Sequence, residues 1–441
     1  MFPNPQSALP LPPRPNLDQY KKLAKELTKA CNSREPEAIR NWAQQWIKAL
    51  VKLSGLIITP GLPVEVEAWI DQVEDFARRQ LSVSGSESAQ CRLSDAHFVI
   101  ARSHGFESWP RFARYLQQLL AENSSASQFE SAADAVVSGD IAALQSLLQK
   151  NPALIRERSS REHQATLLHY VSANGVEGYR QKTPPNIVEI AKTLLAAGAE
   201  VDATAHVYGG ESTALELAAT SIHPVRAGVQ AALLTMLLDH GASLHGRHGR
   251  SIVVACLANG RHEAAIFLAG RGASLDPEAA VGIGRLDVVR SFFSPNDGVK
   301  NAATAQQLQR GFLWACEFGH DDVVQFLLDQ GADIRGQSDL GQSGLHMAVV
   351  GGHLSTIKLL LLRGAPLEDL NTYGGTVLGQ ALWSFLNRNP AIDDIPILET
   401  LLAASAKIEE ESISWLEKQP GRTAVEKGRV VQLLRRYGAA T

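Results

Sequence analysis

Two proline-bearing segments hold the side chains best suited to recognise a ligand. One reads GVEGYRQKTPPN from Gly175 to Asn186, the other SIHPVRAGVQ from Ser221 to Gln230. The first contributes Tyr179, Arg180 and Gln181, the second His223, Arg226 and Gln230, with Pro184, Pro185 and Pro224 stiffening the chain around them. A guanidinium presents a planar fork that grips a carboxylate or phosphate through two hydrogen bonds, and Tyr and Gln add orientation. The chemistry implied is capture of a small anionic ligand. The competing use of the same side chains is to satisfy backbone atoms of two long loops.

Elsewhere the sequence holds little reactive spacing. No acid–base pair, nucleophile elbow, phosphate-cradling glycine loop or metal motif emerges, so neither catalysis nor a cofactor is expected. Cys31, Cys91, Cys256 and Cys316 lie far apart with no His at ligand spacing, which argues against zinc. Buried thiols in a reducing compartment are expected instead. Lys and Arg number 42 against 46 Asp and Glu, a net charge of −4 that provides no general attraction to nucleic acid. The opening MFPNPQSALPLPPRPN lacks the cationic start and apolar stretch of a secretory signal. Its prolines suit an extended, mobile leader over residues 1–15. Apolar runs such as Leu359 to Leu362 are too short to span a bilayer, so a cytoplasmic chain with no membrane partner is expected.

What positions these side chains is a repeat. GFLWACEFGHDDVVQFLLDQGADI from Gly311 aligns without a gap on GLHMAVVGGHLSTIKLLLLRGAPL from Gly344. Gly311 to Gly344, His320 to His353 and Gly331 to Gly364 are each separated by 33 residues. Ala315, Cys316 and Ala348 are small enough for neighbouring units to approach closely. Gly319 and Gly352 end the first helix where a left-handed residue is needed. Val323, Val324, Leu327 and Leu328, then Ile357, Leu360 and Leu361, give the second helix one apolar face. Neither unit could bury that face alone, so stacking must supply the core.

This 33-residue pattern resembles the ankyrin-repeat family. The resemblance implies an all-α ankyrin-repeat solenoid of helix–turn–helix units with short hairpin-like fingers. Weaker copies extend it: Ala132 to Leu148 as a polar-faced capping unit, then units beginning at Thr166, Thr213 and Ser251, and a shortened one over Ala279 to Phe293. Thr376 to Ala403 adds another, and Val425 to Tyr437 a closing helix. The array is expected over residues 126–441 as about seven to eight units. The two proline-bearing segments fall between the helices of adjacent units, which predicts that both emerge on one edge. His169 and His346 stand where the family has a His that hydrogen-bonds the backbone of adjoining repeats. Leu167, Ala214 and Leu313 depart from the family's Pro, Pro and His.

In this family the finger tips and first helices form a concave binding surface, which implies an unidentified protein partner. Carried over by position, that surface comprises Tyr208, Arg247, His248, Arg250, Trp314 and Glu317, followed by Phe318, Asp339, Leu340, Gln342, Tyr373 and Trp383. Trp314, Phe318, Tyr373 and Trp383 rank first as anchors, since interface hot spots favour large aromatics.

Residues 16–122 carry helical periodicity without the repeat. Asn16 can cap a helix through Tyr20, Leu23 and Leu27; Glu37 to Leu50 and Val64 to Leu81 continue the pattern. In SDAHFVIARSHGFESWPRFARYLQQLL, Ser94 or Asp95 is read as one cap and Ser108 as the next, with Pro110 in the first turn. Phe106, Trp109, Phe112 and Tyr115 are expected to pack this hairpin onto the array. The Gly-Phe-x-Ser-Trp-Pro-Arg stretch resembles a bacterial group of ankyrin proteins with a helical region before the repeats. Ser82 to Ser88 reads as a loop, and Glu122 to Gln128 as a linker.

Overall fold

A computed structural model describes the chain except residues 1–3, 5–6, 13–14, 34, 54–61, 83–89, 122–123, 246–250, 295–297, 300, 390–391 and 440–441. The fold is all-α, and its β-structure among the described residues is confined to two short antiparallel pairs and one isolated bridge. Two compact units divide the chain, Met1–His248 and Gly249–Thr441.

The first unit opens with helices Leu17–Asn32, Ala38–Leu53, Leu62–Ser82, Leu93–Ser103 and Trp109–Leu120. Asn16 caps the first by accepting from the Asp18 amide at 2.8 Å. Their apolar faces close over Leu27, Ile47, Ile70, Ile100, Phe106, Phe112 and Leu116, all buried. At the centre His104 lies among Tyr20, Trp46 and Phe112, with ring centroids 5.2–5.6 Å away. Burial lowers its pKa to about 3, so the imidazole is neutral.

Four expectations change here. The leader is not free over its whole length: Ala8 and Leu9 are buried, Leu9 N–H donates to Ser103 O at 2.8 Å, and Leu9 O lies 3.1 Å from His104 Nδ1. An apolar Ala-Leu step between prolines thus docks on the helical core. Cys31 and Cys91 are not separate thiols but a disulfide with Cα atoms 6.2 Å apart, whereas Cys256 and Cys316 are buried and outside any disulfide. The fourth helix starts at Leu93 after Arg92, so Ser94 lies inside it and Asp95 reaches back to the Arg92 amide at 3.3 Å. The supposed linker is also shorter, because Ser124 caps a helix running Ser125–Ser138. Beyond Ser82 the loop reading falls on residues 83–89, outside the described residues.

In this unit helix Ser125–Ser138 pairs with Ile141–Lys150, a 3-10 turn Leu167–Ser172 with Ile187–Ala196, and Ala214–Thr220 with Gln230–Asp239. Between the last two pairs Thr204–Val207 and Gly210–Thr213 form a finger whose turn residues Tyr208 and Gly209 both have positive φ. The two lengthened repeats lie side by side: Asn174 Nδ2 donates to Thr220 Oγ1 at 3.0 Å, and Ser221 Oγ to Ala173 O at 3.2 Å.

In the second unit helix Ala302–Phe318 packs between Pro277–Gly282 and Gly344–Gly351, followed by Val377–Asn387, and each carries its own second helix. Close approach requires small residues. A Cβ on Gly344 would meet Cys316 Sγ at 3.0 Å, and one on Gly351 would stand 1.8 Å from Glu317 O. Val323, Val324, Leu327, Ile357 and Leu360 are buried as the periodicity predicts, while Leu328 and Leu361 are half-buried at the edge. The closing helix does not stand alone. Ala424–Arg436 pairs with Ser412–Lys418, a short helix the sequence pattern does not reveal.

Candidate functional site

The expected anionic site loses its central arginine to the protein's own carboxylates. Arg180 is buried, and its guanidinium is spent on carboxylates: Nη1 lies 2.7 Å from Glu130 Oε2 and 3.6 Å from Glu177, and Nη2 lies 2.7 Å from Asp134 Oδ1. Arg161, also buried, sits 2.8 Å from Glu130 and 2.6 Å from Glu177. Its Nη2 donates to Tyr179 Oη at 3.2 Å, and its guanidinium lies 5.8 Å over the Tyr115 ring. This network ties the N-terminal hairpin to the first two repeats. Burial penalises the Glu177 charge, but the two guanidiniums outweigh it and hold the carboxyl well below its ordinary range. Gln181 Nε2 donates to Val176 O at 2.9 Å, and Gln230 Nε2 to Ala218 O at 3.0 Å and Ala219 O at 3.1 Å. Arg226 is exposed, and His223 is half-buried near it with its pKa lowered, mainly by burial. Gln181 and Gln230 thus answer backbone acceptors in and beside the two long loops.

The second unit gathers part of the expected concave set. Asn371 shapes the finger that displays Tyr373: its Oδ1 accepts from the Tyr373 and Gly375 amides, both at 3.0 Å. Thr372 N–H donates to Leu340 O at 2.9 Å, fastening this finger to the preceding one. His346 holds the base. Its Nδ1 accepts from Ser343 N–H at 3.3 Å, which leaves the proton on Nε2, 3.3 Å from Gly375 O. This is the backbone-bonding role expected for His346; His169 likewise accepts from the Thr166 amide at 3.1 Å through Nδ1. Tyr373 is left 80% exposed at the tip.

Thr376 caps the next helix, accepting from Gly379 N–H at 3.2 Å, and two turns on Trp383 is 52% exposed. Opposite, Ser412–Lys418 buries Ile413 and Leu416 and turns Trp415 partly outward. Together with Gln342, Tyr373, Trp383 and Trp415 form a groove of about 750 Å³, whose lining also includes Asn371, Gln380, Glu409 and Glu411. Among the described residues no Lys or Arg lines it.

The remaining candidates lie elsewhere. Trp314 Nε1 donates to Glu278 Oε1 at 3.2 Å, and Phe318 stacks on His262 with centroids 4.4 Å apart, so both are used in packing between repeats. Glu317, half-buried between them in sequence, has its pKa pushed up to about 7 by burial. Asp339 and Leu340 are exposed on the neighbouring finger tip. Tyr208 belongs to the first unit, where its hydroxyl donates to Asn174 Oδ1. Arg247, His248 and Arg250 lie outside the described residues. Sequence reasoning missed Trp415, Glu409 and Glu411, because a seven-residue helix outside the 33-residue spacing gives no periodic signal. The Trp within IEEESISWLEK was the available clue.

Among the described residues no group of three or more His, Cys, Asp or Glu is placed to hold a metal, and no helix is long and apolar enough to cross a membrane.

Comparison with known proteins agrees with the repeat. Residues 312–361, within the two clearest units, match the family model described as ankyrin repeats in many copies. A 62-residue stretch, 14% of this chain, is 37% identical to Inversin from Danio rerio, and spans 6% of that protein. Among solved structures, the human ASB11 ankyrin repeat domain aligns over 63% of this chain and 99% of its own at 22% identity, with a TM-score of 0.34.

Proposed function

We propose that this chain is a non-enzymatic protein-interaction scaffold that holds its partner in the groove framed by Tyr373, Trp383 and Trp415. The observation that carries this reading is the exposure of Tyr373 and Trp383 on adjoining elements, with half-buried Trp415 beside them in the same groove. Such side chains supply most of the binding energy in interfaces when a partner desolvates them. The internal packing of Trp314 and Phe318 concentrates the proposal on the C-terminal end of the originally wider surface, with Leu340 and Asp339 at its rim. Arg180 is already saturated with carboxylates, which argues against a small anionic ligand on the insertion loops.

The test is photo-crosslinking of the full chain in a lysate of its source cells, with p-benzoylphenylalanine at position 373 or, as a control on another exposed position, at 425. An adduct formed from 373, absent from 425 and suppressed by Trp383→Ala, supports the reading. Equal adducts from both positions, or insensitivity to Trp383→Ala, would sink it.

A further inference from the structure

The groove's chemistry points to a class of partner. Its lining includes Trp383, Trp415 and Tyr373, and among the described residues its charged lining is Glu409 and Glu411. Both carboxylates are exposed, and neither has an ion pair among the described residues. Gln380, nine-tenths buried in the same groove, accepts from Asn371 Nδ2 at 3.4 Å through Oε1, and its Nε2 meets no protein acceptor among the described residues. Aromatic faces attract cations through their quadrupole, and a guanidinium stacks on them while donating to carboxylates at its edge. An amide donor in the wall suits the carbonyl of an extended chain.

We propose that the groove receives an arginine-bearing, extended segment of a partner protein, its guanidinium against Trp383 and Trp415 and its charge answered by Glu409 and Glu411. This rests on the reading of the groove as the docking surface. An anionic or purely apolar segment fits less well: the first meets two like charges with no base in the lining, and the second strands the carboxylates.

The experiment uses the full chain labelled with 5-fluorotryptophan, whose seven Trp signals are assigned through single Trp→Phe variants. It is titrated with a glycine-spaced tri-arginine peptide and with its tri-citrulline counterpart, which keeps the planar shape and loses the charge. The arginine peptide should shift the Trp383 and Trp415 signals saturably. Citrulline in its place, or the Glu409→Gln/Glu411→Gln variant, should each weaken binding by at least about threefold, the scale of an exposed cation–π contact or ion pair. Unchanged circular dichroism of the double variant confirms that its fold is retained. Equal affinity for the two peptides overturns the inference while leaving a docking groove. So does a double variant that binds as the wild type does. A tri-arginine peptide that moves neither Trp signal also overturns it, whereas failure of the docking reading itself shows in the crosslinking at position 373.

Discussion

Replacing Arg180 by Ala tests whether the first unit is held by a buried charge network rather than equipped with a ligand site. The substitution removes contacts of 2.7 Å to Glu130 and 2.7 Å to Asp134 and leaves Glu177, wholly buried, with Arg161 as its principal counter-charge. Breaking one partner out of a buried ionic cluster costs roughly 3–5 kcal/mol, because Glu177 and the largely buried Glu130, unlike exposed Asp134, cannot readily regain water. The sign with pH follows from Glu177 and Glu130, whose folded pKa values are depressed. In the wild type they contribute stability that is present above the unfolded value near 4.5 and lost as pH falls through the depressed folded value. In Arg180→Ala that contribution shrinks, so the penalty should be large at pH 7 and diminish below about pH 4, where the unfolded carboxyls are protonated. Urea unfolding from about pH 2 to 8, followed by hydrogen exchange of residues 125–196, reads both magnitude and pH trend. A penalty under about 1 kcal/mol at pH 7, with no pH dependence, would refute the reasoning and return Arg180 to the list of available ligand groups.

Leu360→Ala should cost roughly 2–5 kcal/mol, and hydrogen exchange should show protection lost chiefly in its own and adjoining repeats. Gly351→Ala should destabilise by about 1–3 kcal/mol or more, since its Cβ would fall 1.8 Å from Glu317 O, whereas Gly428→Ala, with open space around it, should stabilise by about 0.5–1 kcal/mol in denaturant melts. Glu317 has a folded pKa raised to about 7, so its share of stability is present at low pH and lost as pH rises through 7. Glu317→Gln should therefore be near neutral at pH 5 and gain on the order of 1–3 kcal/mol relative to wild type at pH 8, measured by parallel melts.

The repeat was legible because its signals are redundant. His353 sits 33 residues after His320, the glycines at 319 and 352 both adopt positive φ, and the valine and leucine faces are buried where the period puts them. The candidate site was legible only in part. Tyr373 and Trp383 could be placed by counting from the fingers, but exposure could not: Trp314 and Phe318 follow the same count and are occupied by Glu278 and His262 from preceding helices. The insertion loops misled for a related reason. Their Arg, Tyr and Gln match a ligand site in type, while the partners of Arg180 and Tyr179, namely Glu130, Asp134 and Arg161, lie 18 to 50 residues away, at separations no local pattern encodes. The docked Ala8-Leu9 step and the Cys31–Cys91 pair were hidden by the same long range.

The central claim is that the partner is held where aromatics are exposed in the second unit, and not on the insertion loops of the first. Hydrogen exchange of the full chain, alone and saturated with the partner recovered by crosslinking, measures this directly. The account predicts added protection over residues 371–385 and 409–416, with residues 175–186 and 221–230 unchanged. Protection confined to 175–186 and 221–230, with the groove segments unaffected, would contradict it.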